Sequence, residues 1–209
     1  MAISYPLSLP TSIGIAQIEL RATNAVAVSK SPFTFSTQVY AYSGKSWQAD
    51  VTLPSIRRDL AEEWVAWLIS LKGQLGTFYL GDPNATTPRG SARDTDTILI
   101  SGAPSIGSDT ISIDSAPASQ TGYLKAGDYL QVNQGEDRQL FKVLTDTDTN
   151  GSGKATVDVW PDVRKTILNN AAVTVENTKG IFRLSTNEQA FSINEASFYG
   201  ITFGAMEAL

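Results

Sequence analysis

Only one stretch of this 209-residue chain carries a clear helical repeat, and it lies between segments that alternate like strands. Between Ile56 and Lys72, Leu60, Trp64, Leu68 and Leu71 follow one another at steps of four, four and three, which places them on one face. Arg57, Arg58, Glu62, Glu63 and Lys72 fall largely elsewhere, so this face must be buried against something. Ser55 is the natural N-cap, and Pro54 before it resists helix upstream. Gly73 stands where a left-handed C-cap is wanted. The spacing predicts a helix over 56–72.

Around it the period is two. Phe33 to Tyr42 puts Phe33, Phe35, Thr37, Val39 and Ala41 on one side and Tyr40 and Tyr42 on the other. Ser43-Gly44-Lys45-Ser46 has hairpin-turn chemistry, and Trp47 to Leu53 reads as the returning strand, with Trp47, Ala49, Val51 and Leu53 on one face. Upstream, residues 1–16 are extended and marked by Pro6 and Pro10, and 15–28 alternates in part, with Asn24 as a turn. Downstream, Gly76 to Leu80 is a short strand closed by Gly81-Asp82-Pro83-Asn84. From about Asp94 short β-like runs alternate with turn-rich loops and no helical period occurs, as in a small antiparallel barrel or sandwich. From Gln189 onward a strand pair with Gly200 and Gly204 at close-approach positions returns to the first unit. The expected fold is mainly β: a β-sandwich of residues 1–92 and 177–209 with one packed helix, and a small barrel over 93–176 inserted in it.

Composition narrows the chemistry. Cysteine and histidine are both absent, which removes thiol catalysis, thiolate and imidazole metal sites, and the commonest general base near neutral pH. A net charge of −5 argues against a nucleic-acid partner. The opening residues have no basic region followed by an apolar core, and no apolar run reaches 18 residues, so neither a signal peptide nor a membrane span is expected. Synthesis in the cytoplasm is the expectation.

Several motifs invite a chemical reading. Asp146, Asp148 and Asn150 alternate like the start of a calcium loop, but the twelfth position is Val157, which has no carboxylate; a polar hairpin loop is the better expectation. Asp114, Asp128, Glu136 and Asp137 could include a carboxylate pair for glycoside hydrolysis, although spacing pairs none of them. The glycines of Gly122 to Val132 precede a strand, so they form no phosphate cradle and no cofactor is expected. Among the tryptophans Trp64 belongs to the core, and Trp67 is either core edge or an interface anchor. Trp160, beside Pro161 and Arg164, is the best exposed contact. The candidate interface residues are Tyr40, Tyr42, Trp47, Trp67 and Trp160. No catalytic or metal site is expected.

Taken together, the segments resemble the distal tail proteins of long-tailed, siphovirus-like bacteriophages. The resemblance is carried by Tyr40-x-Tyr42-Ser43-Gly44-x-x-Trp47, Leu53-Pro54, Ala61-x-x-Trp64-x-x-Trp67-Leu68 and Leu71-x-Gly73-x-x-Gly76-Thr77-Phe78. Gly81-Asp82-Pro83, Pro88-Arg89-Gly90-Ser91, Ala126-Gly127-Asp128, Pro161-x-x-Arg164 and Lys179-Gly180-x-Phe182-Arg183-Leu184 extend it over most of the chain. It implies a structural virion protein of the baseplate or tail tip, in a ring that is commonly hexameric. Its neighbours would be the tail tube protein and the tail-tip hub, and its inserted barrel would be of oligonucleotide-binding-like shape. The extreme N-terminus matches no motif of that family. The alternative is a carbohydrate-binding module, or a carboxylate hydrolase, acting on a glycan of the bacterial surface.

Overall fold

A computed structural model describes residues 3–133 and 135–208. The first unit begins with β1 (Gln17–Lys30), β2 (Thr37–Thr52), β3 (Ile56–Arg57), α1 (Arg58–Ser70) and β4 (Thr77–Leu80). The second comprises β5 (Leu99–Ile100), β6 (Thr110–Asp114), β7 (Tyr129–Val132), β8 (Gln139–Val143), β9 (Ala155–Trp160) and β10 (Val173–Thr174). The chain then returns through β11 (Gly180–Leu184), β12 (Phe191–Ile193) and β13 (Phe198–Glu207). The expected mainly β fold, with one packed helix and a small antiparallel barrel, is the fold observed.

The first sheet runs β1-β2-β13-β11-β4, with β3 and β12 also paired to β13. β13 is its centre, and its odd-numbered residues from Tyr199 to Glu207 are all buried, as a strand with one covered face requires. On β2 the predicted inward set Trp47, Ala49 and Val51 is buried, with Leu53 just beyond it. Helix α1 covers one end of this face, where Trp64 and Trp67 meet Phe203 and Phe78. The barrel covers the other end, at Trp47.

The helix itself differs from the expectation at three points. Ile56 and Arg57 pair with Tyr199 and Phe198 as β3, so the helix starts at Arg58, and Ser55 is no cap; Arg57 takes the N-cap position without a side-chain bond. The buried stripe is Ala61, Trp64, Val65, Trp67 and Leu68, continued by Leu71. Leu60, in the first turn at the margin of that stripe, is exposed. At the other end Gly73 is left-handed as predicted (φ 69°), but the left-handed run already begins at Lys72 (φ 52°).

The N-terminal segment has a definite place. Leu7 pairs with Phe78 and exchanges backbone hydrogen bonds with Thr77 and Tyr79, which closes the β4 edge of the sheet. Tyr5 Oη donates to the Ser70 carbonyl at 2.6 Å, and Trp67 Nε1 donates to the Ser8 carbonyl at 2.8 Å. The opposite edge, β1, has no strand beyond it among the described residues.

The second sheet runs β10-β7-β8-β9-β6-β5. Ile100 N donates to Ala171 O and Val173 N to Ile98 O, which brings its two ends together and nearly closes the barrel. Its interior is a separate core that includes Ile111, Ile113, Leu130, Phe141 and Val157. The crossing into it is tight: Ser91 and Ala92 donate to the Gly122 and Tyr123 carbonyls, and a Cβ on Gly90 would run into the Tyr123 carbonyl. Gly90→Ala is therefore expected to lower stability by roughly 1–3 kcal/mol in urea unfolding, the usual penalty of an overpacked site. An unchanged midpoint would mean that the crossing shifts freely.

Candidate functional site

Two features stand out from the fold, a protruding arm and a cleft at its base. The arm is the outer part of the β1–β2 hairpin. β2 is held by β13 only from Gln48 to Thr52, and beyond Trp47 the two strands pair only with each other among the described strands. A bulge lies at the point of departure: Asn24 pairs with Lys45, and the next pair is Val26 with Ala41. Ala25 therefore faces three residues of β2, Tyr42, Ser43 and Gly44. This corrects the predicted turn at 43–46. A bulge wants the same small and flexible residues as a turn, and a Cβ on Gly44 would lie in tight contact, 3.0 Å, with that of Ala25.

The reversal comes instead at Ser31–Ser36. Ser31 Oγ accepts from the amides of Phe33 and Thr34, Phe35 N donates to Ser31 O at 3.0 Å, and Phe35 is left-handed (φ 57°). The Ser31-Pro32 pair was the available signal, since Pro at the second turn position presets φ. Phe33 is 92% exposed at the tip, and Val26, Val28, Val39, Tyr40 and Tyr42 are all at least half exposed along the arm.

The five candidate interface residues separate into four places. Tyr40 and Tyr42 lie on the arm. Trp67 is a core residue, edge-on to Phe78 with ring centroids 5.0 Å apart. Trp47 is buried where the sheet meets the barrel; its Nε1 donates to Leu140 O at 3.1 Å. Trp160 stands partly exposed beside it, T-shaped with ring centroids 4.6 Å apart, and its Nε1 donates to Asn24 Oδ1 at 2.7 Å.

Trp47 and Trp160 form the back of a cleft of about 420 Å³, whose other walls are Leu20, Ala22 and Asn24 of β1 and Tyr129, Lys142 and Leu144 of the barrel. The Lys142 ammonium sits 3.7 Å from the Tyr129 ring centroid. Burial lowers its pKa, while the charges of Asp82 and Asp128 act in the opposite sense. Burial, assisted by Asp82, pushes the Tyr129 phenol up to about 12. Tyr123, buried and hydrogen-bonded to Asp96, moves the same way. Both folded-state values lie above the unfolded value of about 10. The stability they contribute is thus fully present below pH 10 and is lost as pH climbs through the folded values. Melting temperature is expected to fall across that window, and Tyr129→Phe should make the fall shallower; an identical slope would remove Tyr129 as a cause.

Beneath the cleft a polar joint ties the two units. The Arg164 guanidinium forms a bidentate pair with Glu207, whose Oε2 also accepts from Trp47 N at 2.9 Å. Lys45 pairs with Asp162, and Gln139 Oε1 accepts from the amides of Arg164 and Lys165. Sequence singled out Trp47 and Arg164 of this set as contact residues and read Lys45 as part of a turn; Glu207, Gln139 and Asp162 are ordinary polar residues until the two units meet.

The other chemical candidates have structural partners. Asp128 is buried and accepts from the amides of Arg89, Gly90 and Lys125. Asp114 ends β6 and accepts from the Ser115 hydroxyl, while Glu136 and Asp137 are exposed in a short helical turn. Asp146 accepts from Ala126 N, Asp148 from Gly122 N, and Asn150 from the amides of Ser152 and Lys154, so the calcium-like spacing serves to brace loops. No cluster of three or more potential acidic metal ligands occurs among the described residues. No described helix is long and apolar enough to cross a membrane. No family model matches this chain, and neither does any curated protein.

Proposed function

We propose that this chain is a structural subunit of a ring at the distal end of a phage tail, joining the tail tube to the tail-tip hub. In this role it is made in the host cytoplasm and ends in the virion. The observation that carries the proposal is the arm. A two-stranded ribbon is marginally stable alone in water, and this one presents valines, tyrosines and phenylalanines to solvent on a rigid base. Such an arm suits a subunit that is completed by its neighbours. The arrangement of a helix-braced sheet with a separate barrel accords with the same role.

The test is assembly. Native mass spectrometry and negative-stain microscopy should find closed rings of the purified protein, and antibody labelling should place it at the tail tip of the virions that carry it. A protein that stays monomeric and is absent from tail particles ends the proposal. Replacing residues 25–44 by a short turn should abolish rings while leaving the barrel's thermal transition in place, and rings that survive it would exclude the arm. A carbohydrate-binding role has the Trp160 cleft in its favour. It predicts signals on a glycan array that Trp160→Ala removes.

A further inference from the structure

The arm's tip and the cleft at its base are complementary, and they belong to one chain. The tip is a shaped turn: Ser31 and Thr34 hydroxyls hold its backbone and the Ser36 hydroxyl, and Lys30 caps the Phe35 ring at 4.9 Å. Phe33 projects from it almost wholly uncovered. An aromatic side chain buries about 150–250 Å² when it finds a pocket, and such residues anchor interfaces. The cleft offers what that anchor needs, with Leu144, Trp160, Leu20 and Ala22 as apolar walls.

It also offers a donor. Lys142 lines the cleft half-buried, its ammonium against the Tyr129 ring and under the charges of Asp82 and Asp128. An ammonium has three donor protons, and the tip offers it the backbone carbonyls of its turn, each with two lone pairs. A chain cannot fill its own cleft. Phe33 at the tip lies nine positions beyond Asn24 at the cleft, a reach of roughly 30 Å along a paired strand.

We propose that the occupant is a second copy: Phe33 of one subunit seats in the cleft between β1 and the barrel of the next, with Lys142 donating to the incoming turn. This rests on the ring proposal and names the surfaces that make the ring. Because tip and cleft are different patches, the contact is heterologous, and each copy gives one and receives one, which makes a ring where the rotation between neighbours closes.

Two variants at exposed positions separate the halves of the contact. Phe33→Ser removes the tip and leaves the cleft; Leu144→Glu blocks the cleft and leaves the tip. Wild-type protein should give closed oligomers in native mass spectrometry. Each variant alone should be monomeric with an unchanged circular-dichroism melt. A 1:1 mixture of the two should give a heterodimer and nothing larger, because one intact tip and one intact cleft remain. If wild type forms rings and either variant still forms them, the tip–cleft contact is wrong while the ring stands. If both variants are monomeric and their mixture stays monomeric, the pairing of tip with cleft is wrong. A wild type that is monomeric at its highest soluble concentration and absent from tail particles removes both proposals. Glycan binding that is lost in Leu144→Glu, with rings intact, would assign the cleft to sugar.

Discussion

Replacing Trp64 with alanine is expected to cost about 3–5 kcal/mol in chemical unfolding, the range for emptying a large aromatic site in a core. Trp64 is among the largest fully buried side chains, enclosed by Trp67 at 5.7 Å and Phe203 at 6.3 Å between ring centroids. Its helix is held at both ends, by β3 pairing with β13 and by the N-terminal segment at Ser70 and Trp67, so the wall cannot simply fall in to fill the space. Size rather than the indole nitrogen is what matters here. Trp64 Nε1 is buried and has no acceptor among the described residues, a defect that costs roughly 1–3 kcal/mol by itself. Trp64→Phe gives up some packing but removes that orphan donor, so its net effect should lie within about 1 kcal/mol of zero. Leu60→Ala, on the exposed margin of the same helix, should cost less than about 1 kcal/mol. Equal losses at Leu60 and Trp64 would show that the buried face is misplaced.

That contrast also marks how far sequence reaches. The repeat of Trp64, Leu68 and Leu71 was legible because a helix buries every third or fourth residue whatever it packs on. The exclusion of Leu60 and the inclusion of Val65 depend on where the sheet ends beneath the helix, which no local pattern encodes. The alternation of Trp47, Ala49 and Val51 was legible for the same reason at period two. The length of β2 was not: Ser43-Gly44-Lys45-Ser46 satisfies a bulge as well as a turn, and only the long-range pairing with β1 decides between them. Of the tryptophans, Trp67 lies under a segment 59 residues upstream and Trp47 against a carbonyl 93 residues downstream. Burial at such positions is a property of topology. The arm's aromatic character was visible as Tyr40 and Tyr42, but its freedom from the rest of the chain was not.

The joint between the units supplies the second large effect. Glu207→Ala is expected to cost about 3–5 kcal/mol, because it leaves the Arg164 guanidinium buried without its counter-charge. The two side chains are only 4% and 14% exposed, so water can replace the lost carboxylate poorly. The same substitution strands the Trp47 amide, which donates to Glu207 Oε2. Glu207→Gln keeps an acceptor for that amide and should lose less. The pair is not ideally satisfied, since Arg164 Nε is buried without a partner among the described residues, so much of the cost comes from leaving one charge alone rather than from the worth of the pair. The double variant Glu207→Ala with Arg164→Ala should then be less damaging than the sum of the singles by more than about 0.5 kcal/mol, the coupling expected of groups in direct contact. Strict additivity would mean that the two do not meet in solution. Hydrogen exchange gives the location: in Glu207→Ala, protection should fall at Trp47, Leu140 and Arg164 and persist at Ile111 and Val157, which belong to the barrel's own core. Loss at both places together would mean that sheet and barrel unfold as one unit, and the joint would then be part of a common core rather than a fastening between two.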